Sequence, residues 1–301
     1  MSEASMDEQL YELNTNSLDK IEEVQKNLAL NSLESGKVIY LPHYFYAHDA
    51  QNDHYLLTDS ILDGQHKNIS YDYLKDRLGG YDANNESLPS VLKPFMRGYA
   101  AFAKHLLDAV CPLYTEHLIW GRTSYRPAEI RGRTSSKRKD DTRVHVDSFP
   151  ASPVNGRRIL RVFCNINPCG EPRVWQLGEP FNQVLERFYP SIPKYNPAVA
   201  RLLKWFKVTK TMRSAYDHYQ LQLHDRMKLD DHYQQTVSKN TINFQAQSTW
   251  IVFTDHVSHA ALSGQFLLEQ TFYLPVAAMR NPEHSPLRCW ERNKMKELVQ
   301  A

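Results

Sequence analysis

The stretch Arg143-Val144-His145-Val146-Asp147-Ser148-Phe149-Pro150 decides how the rest of this sequence is interpreted. Side chains alternate along a β-strand, so a His-x-Asp pair in extended backbone places an imidazole and a carboxylate on the same side. Two imidazoles and one carboxylate, with the other coordination positions left open, are the ligand set of non-haem Fe(II) oxygenases. His145 and Asp147 therefore predict two of three metal ligands, and a second histidine is required from elsewhere in the chain.

A hydrophobic period of two follows this stretch and predicts β-structure around it. Residues 158–167 alternate and end at Pro168, which predicts a strand. Residues 248–254 and 266–275 predict two more strands, which we expect to pair through a turn at Ser263-Gly264. An early His-x-Asp, intervening strands and a late histidine fit a double-stranded β-helix, the jelly-roll of cupins and 2-oxoglutarate oxygenases, as the core of a mixed α+β fold.

Helical patterns flank this predicted core. Residues 1–36 predict a polar tail and an amphipathic helix that ends near Gly36. The apolar face of that helix is expected at Leu18, Ile21, Val24 and Leu28. Residues 38–42 predict a strand stopped by proline, and residues 94–114 predict a second helix.

The segment 180–240 is helical, basic and aromatic, and it predicts an insertion between strands of the sheet. We expect one domain over residues 1–301, with residues 280–301 as a C-terminal extension. The insertion contains a basic and aromatic cluster, namely Arg201, Lys204, Trp205, Phe206, Lys207 and Lys210. This cluster could rest on an anionic leaflet, but we expect its aromatic side chains to pack on the barrel.

Composition limits the classes of function. The 301 residues are 42% hydrophobic and 11% aromatic, which is enough for one large core. With 36 basic and 34 acidic residues, nothing in the overall charge indicates nucleic acid as a partner. The four cysteines show no C-x-x-C pair and predict reduced thiols. A polar, acidic start and the lack of an apolar run near ~18 residues predict a soluble intracellular protein.

Several runs of the sequence agree, in order, with those of one family. They are residues 143–150, 155–163, 250–255, 257–260, 262–265 and 269–272. In these runs the chain resembles the Kdo hydroxylases, and the resemblance extends from about Val38 to Met279. Those bacterial enzymes use Fe(II), 2-oxoglutarate and O₂ to hydroxylate C3 of 3-deoxy-D-manno-oct-2-ulosonic acid (Kdo) in the inner core of lipopolysaccharide, with succinate and carbon dioxide as co-products. The resemblance implies the same activity here.

Two histidines are available as the third metal ligand. His256 and His259 lie three positions apart and would face opposite sides of a straight strand, so one strand is not expected to point both at one metal. His259 is favoured because it lies in the run 258–264, which resembles the family. His145, Asp147 and His259 are thus the expected ligands and catalytic residues.

The far carboxylate of 2-oxoglutarate requires a cation on a rigid element. Many such oxygenases carry a basic residue about ten positions after the distal histidine, but this chain has Glu269 there. Arg161, on the strand after His-x-Asp, is the expected replacement, because a guanidinium binds a carboxylate through two parallel hydrogen bonds. The alternative for Arg161 is a structural ion pair with an acid such as Glu269. Arg158 is expected to be exposed at the start of the strand.

An acceptor that carries a carboxylate and phosphates requires a cationic site. Arg122, Arg126 and the run 131–143, with six basic and two acidic residues, are expected at its mouth, and Arg126 is the first choice for substrate contact. The expected partner is Kdo-bearing lipid A or a lipopolysaccharide precursor, met in the cytoplasm with peripheral contact at the inner membrane. The alternatives are a 2-oxoglutarate oxygenase for a protein or small molecule, and a cupin-like module that binds sugar or metal without turnover.

Overall fold

The structure is a computed structural model that describes residues 9–48 and 56–293. The polar start at residues 1–8 and the end of the predicted C-terminal extension at residues 294–301 lie outside the described residues. The strands are β1 (Leu10–Glu12), β2 (Val38–Leu41), β3 (Ile69–Asp72), β4 (Arg77–Gly79), β5 (Ile119–Arg126), β6 (Arg158–Asn165), β7 (Arg173–Leu177), β8 (Asn240–Phe244), β9 (Ser248–Phe253), β10 (His259–Ser263) and β11 (Leu267–Leu274). The α-helices are α1 (Glu23–Glu34), α2 (Leu88–Val110), α3 (Phe181–Phe188), α4 (Pro197–Trp205), α5 (Ala215–Leu229), α6 (Asp231–Thr236) and α7 (Pro286–Arg292).

Two sheets form the centre of the fold. The larger has the order β1-β2-β9-β6-β11-β5-β3-β4, and the smaller has the order β10-β7-β8. The pairings are antiparallel except that of β1 with β2. A bridge between His145 and His259 adds a further extended segment to the edge of the smaller sheet. The predicted jelly-roll core is confirmed.

Aromatic side chains from both sheets pack in the space between them. The Trp250 ring stacks on Phe163 at 5.2 Å and on Phe244 at 4.1 Å, while the edge of Trp175 meets all three. Trp250 and Phe163 belong to the larger sheet, and Phe244 and Trp175 belong to the smaller. This cluster therefore holds the two sheets together.

The strands at 248–254 and 266–275 exist as predicted, but their expected pairing is wrong. β9 pairs with β2 and β6, whereas β11 pairs with β5 and β6. Between them in sequence, β10 lies in the smaller sheet, and the turn at Ser263-Gly264 leads from β10 to β11. A jelly-roll passes the chain from one sheet to the other, so strands that are neighbours in sequence are not neighbours in the sheet.

Helices α1 and α2 cover the outer face of the larger sheet. The predicted apolar face of α1 is wrong, because Val24 and Leu28 are exposed and Ala29, Leu30 and Leu33 are buried instead. A capping box between Glu22 and Gln25 starts the helix at Glu23, so the earlier apolar residues do not set its buried face. Helix α2 begins six residues before the predicted start and contains Pro94.

The segment between β7 and β8 contains α3 to α6, as the predicted helical insertion requires. Helix α5 is largely buried, and it carries Lys228 and His224 toward the interior of the barrel. In α4, by contrast, Ala200 is the one buried residue, and Trp205 and Phe206 are exposed. The expectation that these aromatic side chains pack on the barrel is therefore wrong. Among the described residues, no helix combines the length and apolarity needed to cross a membrane.

Candidate metal centre

His145 and His259 face each other across a hydrogen-bonded backbone pair. The amide of His145 donates to the carbonyl of His259 at 2.9 Å, and the amide of His259 donates to the carbonyl of His145 at 2.8 Å. Residues paired in this way project their side chains on the same side, and the two ring centroids lie 4.7 Å apart. Asp147, two residues along, is on the same face, and its amide donates to the carbonyl of Thr254.

Each imidazole is oriented by a backbone carbonyl. Nδ1 of His145 lies 2.7 Å from the carbonyl oxygen of Arg143, and Nδ1 of His259 lies 2.9 Å from that of Val257. A carbonyl oxygen only accepts, so both Nδ1 atoms donate their hydrogen, and each Nε2 keeps a free lone pair. Metal-ligating histidines are commonly fixed in this way. The Trp175 ring stacks on His259 at 4.9 Å and restrains it further.

The protonation states suit a cation. Burial lowers the pKa of His145 to about 3 and also lowers the pKa of His259, so both rings are neutral near pH 7. Burial alone would raise the pKa of Asp147, but the neighbouring Arg161 and the two imidazoles hold it well below the usual range. The centre therefore presents two neutral nitrogen donors and one carboxylate.

The donor atoms fit a metal ion. One ligand atom each from His145, Asp147 and His259 lies within 4.8 Å of the others, and no other such group occurs in residues 9–48 and 56–293. Nε2 of His145 is 3.5 Å from Oδ1 of Asp147, so a nitrogen lone pair and a carboxylate oxygen face each other. Oδ2 of Asp147 is buried and accepts no hydrogen bond. A divalent cation between these atoms would relieve the repulsion, and this donor set suits Fe(II).

The other histidine candidate, His256, lies elsewhere. Its ring packs against Phe181 at 5.3 Å and approaches Gly36, in a separate small cavity of about 140 Å³. The structure thus brings His259 to His145 and Asp147 and leaves His256 outside the group. His256 lies within the turn at residues 254–257, whereas His259 begins β10. The argument from a straight strand did not include this turn.

Arg161 lies in contact with the metal centre. Its Nη1 is 3.2 Å from Oδ2 of Asp147 and 3.4 Å from Oε1 of Glu269. Glu269 also accepts a hydrogen bond of 2.7 Å from Arg126. Burial would raise the pKa of Glu269, but the two guanidinium groups lower it. Two arginines and two carboxylates therefore alternate in one buried ion network beside the metal ligands.

Arg158, on the opposite face of β6, is not exposed, and the prediction that it would be is wrong. Its Nε and Nη2 donate to Asp255 at 2.8 and 3.3 Å, and its guanidinium lies 3.8 Å from the centre of the Phe253 ring. Gln220 of α5 and Met279 also reach this pair. Segments distant in sequence cover this end of the strand, so the local pattern could not reveal the burial.

Not all of the predicted cationic residues reach the cavity beside the metal ligands. Arg126 lines it, as do Arg138, Lys139 and Asp141 of the run 131–143. Arg122 does not line it. Instead, its Nη1 is 3.5 Å from Asp72 on the neighbouring β3.

Sequence reasoning missed several residues of this cavity. Arg173 is buried, its Nη1 donates to the carbonyl of Gly264 at 2.6 Å, and its Nε has no hydrogen-bond partner. Within the described residues its guanidinium forms no ion pair, and burial lowers its pKa to about 9. Lys228 is also buried, with burial lowering its pKa, and the His224 ring lies 5.4 Å from that of His145. The four-residue spacing of His224 and Lys228, one helical turn, could have indicated that both side chains face the same cavity.

These residues surround a cavity of about 400 Å³ that is also lined by His145, Asp147 and His259. Phe163, Trp175, Ala261 and Leu267 supply apolar walls. The basic lining residues are Lys67, Arg126, Arg138, Lys139, Arg161, Arg173 and Lys228, against the acidic Asp141 and Asp147. A cavity with this charge attracts anions.

Comparison with known proteins gives one consistent result. A sequence profile of the 3-deoxy-D-manno-oct-2-ulosonic acid (Kdo) hydroxylase family matches residues 17–297. A crystal structure of the Kdo hydroxylase KdoO, a non-haem Fe(II) and α-ketoglutarate dependent dioxygenase, in complex with cobalt(II) aligns with a TM-score of 0.93 at 43% identity, covering 97% of this chain and 98% of that one.

Two further structures of KdoO agree. The complex with α-ketoglutarate and Fe(III) aligns with a TM-score of 0.92 at 42% identity, over 97% of each chain. The complex with succinate and Fe(III) aligns with a TM-score of 0.91 at 42% identity, over 97% of this chain and 98% of that one. A search of curated proteins gave no match. Profile and structures together confirm the assignment made from sequence: the chain belongs to the Kdo hydroxylase family.

Proposed function

We propose that this protein is an Fe(II)- and 2-oxoglutarate-dependent dioxygenase that hydroxylates C3 of Kdo carried on lipid A, with succinate and carbon dioxide as co-products. The observation that carries the proposal is the group His145, Asp147 and His259 in the lining of a strongly cationic cavity. Family membership supports the reaction class. When bound, iron and 2-oxoglutarate with O₂ supply the oxidant that converts a C–H bond to C–OH.

The three predicted ligands would hold iron through Nε2 of each histidine and a carboxylate oxygen of Asp147. Support comes from the two carbonyl-bound Nδ1 atoms, which leave both Nε2 atoms aimed at the carboxylate. Arg161 would keep Asp147 ionised and fix its position. The protein's own contribution is thus a set of pre-oriented donors, which need little rearrangement when the metal binds.

Two guanidinium groups are candidates for the far carboxylate of 2-oxoglutarate. Arg161, the residue predicted from sequence, is already flanked by Asp147 and Glu269. Among residues 9–48 and 56–293, Arg173 is a buried cation without a carboxylate partner, and a buried unpaired charge is costly unless an anion joins it. We therefore add Arg173 as the second candidate, and the difference in their existing partners favours it.

The acceptor would bind at the mouth of the same cavity. Arg126, Lys67 and Lys139 line it and can contact the carboxylate of Kdo or a phosphate of lipid A. Arg126 lines the cavity and is joined to Arg161 through Glu269, which makes it the first choice for orienting the sugar. Arg122, paired with Asp72 outside the lining, would act at longer range. A lipid-borne acceptor also implies peripheral contact with a membrane, for which we propose the cytoplasmic face of the inner membrane.

The deciding experiment is reconstitution under anaerobic conditions with Fe(II) and 2-oxoglutarate, followed by air and Kdo-bearing lipid A. Mass spectrometry of the lipid should show one added oxygen atom on the Kdo portion, and succinate should form in step. Succinate without a modified lipid would reject the acceptor and retain the oxygenase. Neither product, from folded and iron-loaded protein, would reject the proposed chemistry.

Matched histidine variants test the ligand set in the same assay. His259→Ala and His145→Ala should lose both iron binding and product. His256→Ala, which removes a half-buried imidazole outside the group, should retain iron and turnover. Iron binding that survives His259→Ala but fails in His256→Ala would overturn the assignment.

A further inference from the structure

Helix α4 projects an unpartnered apolar surface from the insertion. In this nine-residue helix only Ala200 is buried, and Val199, Leu202, Trp205 and Phe206 are exposed, Trp205 by 78% and Phe206 by 72%. Residues 199, 202, 205 and 206 lie on one side of a helix because their spacing follows the helical period. Val208, after a turn at Lys207 with a φ of 57°, continues the apolar surface. We call these five apolar residues the α4 surface.

The chain segment that carries the α4 surface is basic. Residues 194–216 contain six basic residues, Lys194, Arg201, Lys204, Lys207, Lys210 and Arg213, and no acidic residue. The lysines and Arg201 are exposed. Exposed Trp and Phe beside several cations are typical of elements that lie in the headgroup region of a membrane. The centre of a protein–protein interface is, in contrast, depleted of lysine.

The α4 surface adjoins the mouth of the iron cavity. The amide of Lys210 donates to the carbonyl of Ala151 at 2.9 Å, and Nη2 of Arg213 donates to the carbonyl of Pro150 at 2.8 Å. Pro150 and Phe149 line the cavity. The segment after α4 is therefore hydrogen-bonded to Pro150, which lines the cavity, and to its neighbour Ala151. A membrane that contacts α4 would therefore also lie close to the cavity.

From these observations we propose that the α4 surface docks on an anionic lipid bilayer. Trp205, Phe206 and Leu202 enter the boundary between headgroups and acyl chains, and the flanking lysines meet the lipid phosphates. Docking there presents the entrance of the cavity to headgroups of the same leaflet. The purpose of this contact rests on the proposed function, in which the acceptor is carried by a lipid, but the contact itself can be measured without any acceptor.

Trp205 provides an intrinsic reporter. Of the five tryptophans, Trp175, Trp250 and Trp290 are buried and Trp120 stacks on Tyr73 at 4.1 Å, so Trp205 is the exposed one. The full-length protein is mixed with vesicles of phosphatidylcholine alone or with phosphatidylglycerol, both free of Kdo. We expect co-sedimentation and a blue shift of tryptophan fluorescence with the anionic vesicles, both weakened by salt.

A pair of matched variants separates this surface from general effects of charge. Phe206→Glu/Lys207→Glu should lower the partition onto anionic vesicles at least about tenfold, since it removes an inserted ring and reverses one charge. Leu74→Glu/Lys75→Glu makes the same change at the turn between β3 and β4, where Leu74 is 71% exposed, and should bind as the unaltered protein does.

Three results would overturn the proposal. They are no binding of the unaltered protein to anionic vesicles, equal losses in the two variants, and a fluorescence shift that depends on protein concentration without lipid, which would assign the surface to a second copy of the chain. Turnover of a water-soluble Kdo acceptor tests the proposed function separately. Phe206→Glu/Lys207→Glu should leave that turnover unchanged and reduce turnover of vesicle-borne acceptor.

Discussion

At the scale of single residues, the charges beside the metal centre have divided roles. Glu269 stands where many related oxygenases place a cation, and it pairs instead with Arg126 and Arg161. Arg161 is consequently bound to two carboxylates, one of which belongs to the predicted iron ligand Asp147. In the described part of the chain, Arg173 has no such carboxylate partner. The two arginines should therefore respond differently when each is neutralised.

We expect Arg173→Gln to weaken 2-oxoglutarate binding by about 10- to 100-fold, because it removes a charge-assisted hydrogen bond of roughly 1.5–3 kcal/mol. Metal affinity should stay within about twofold, since Arg173 does not contact the metal ligands. Arg161→Gln should lower metal affinity as well, because it removes the ion-pair partner, 3.2 Å from Oδ2, that holds the Asp147 carboxylate in position. Anaerobic calorimetry with Mn(II) and then 2-oxoglutarate measures both quantities. Unchanged 2-oxoglutarate affinity in Arg173→Gln would contradict this assignment and would leave Arg161 as the residue that binds the far carboxylate.

The buried histidines predict how metal binding and stability depend on pH. With the pKa of His145 near 3 and that of His259 also lowered, neither ligand competes with protons near neutrality. Each histidine should reduce metal affinity between pH 8 and pH 6 by less than the roughly fourfold that an ordinary imidazole of pKa about 6.5 would lose. Metal titrations at the two pH values measure this. A fourfold or larger loss for each histidine would contradict it.

The lowered pKa values of these histidines also determine the direction in which pH changes the stability of the fold. Unfolding restores the ordinary imidazole pKa, so the unfolded chain binds protons that the native chain does not. The metal-free protein should therefore lose stability as the pH falls below about 6.5, and His145→Gln should reduce that dependence. Denaturant unfolding at pH 7.5 and 5.5 measures the free energy of unfolding of the unaltered protein and of His145→Gln. An equal loss of that free energy in both proteins would contradict the prediction.

At the scale of elements, the two faces of β6 lie in different environments. Arg161 points to the metal centre between the sheets, whereas Arg158 pairs with Asp255 under α5 and the C-terminal segment. Asp255 also belongs to the turn that precedes His259. The Arg158–Asp255 pair thus connects β6 to the turn that positions the distal histidine.

We expect Asp255→Ala to lower the free energy of unfolding by about 3–5 kcal/mol, because it leaves the Arg158 guanidinium buried without its carboxylate. Arg158→Met/Asp255→Leu, which removes both charges and keeps apolar volume, should recover most of that loss. Chemical denaturation measures the three proteins. A loss below about 1 kcal/mol in Asp255→Ala would show that the pair is not structurally required.

At the scale of the whole molecule, the sheets and helices bury three of the four cysteines. Cys111, Cys164 and Cys289 are buried, and Cys169 is exposed. Burial raises the pKa of Cys111 to about 12 and that of Cys164 to about 11, so these remain unreactive thiols at neutral pH. The fold thus predicts the pattern of modification over the entire chain.

In the native protein, a water-soluble disulfide reagent should titrate one thiol, and after denaturation it should titrate four. Cys169→Ser should reduce the native value to zero and the denatured value to three. Rapid native reaction of more than one thiol would mean that the core opens more readily than its packing implies.

The sequence alone determined the features that depend on local periodicity. Period two places His145 and Asp147 on one face and makes β6 a strand, and ordered runs of residues identify the family. The jelly-roll followed from the same order of elements. These properties are local because backbone geometry fixes which neighbouring side chains share a face.

Only the tertiary structure decided which distant residues meet. It buries Arg158, leaves Arg173 without a carboxylate partner among the described residues and exposes Trp205. Each outcome depends on contacts between segments far apart in sequence, across two sheets and an insertion. A residue's own strand or helix does not specify what covers it, so burial and ion pairing at these positions could not be predicted from local pattern.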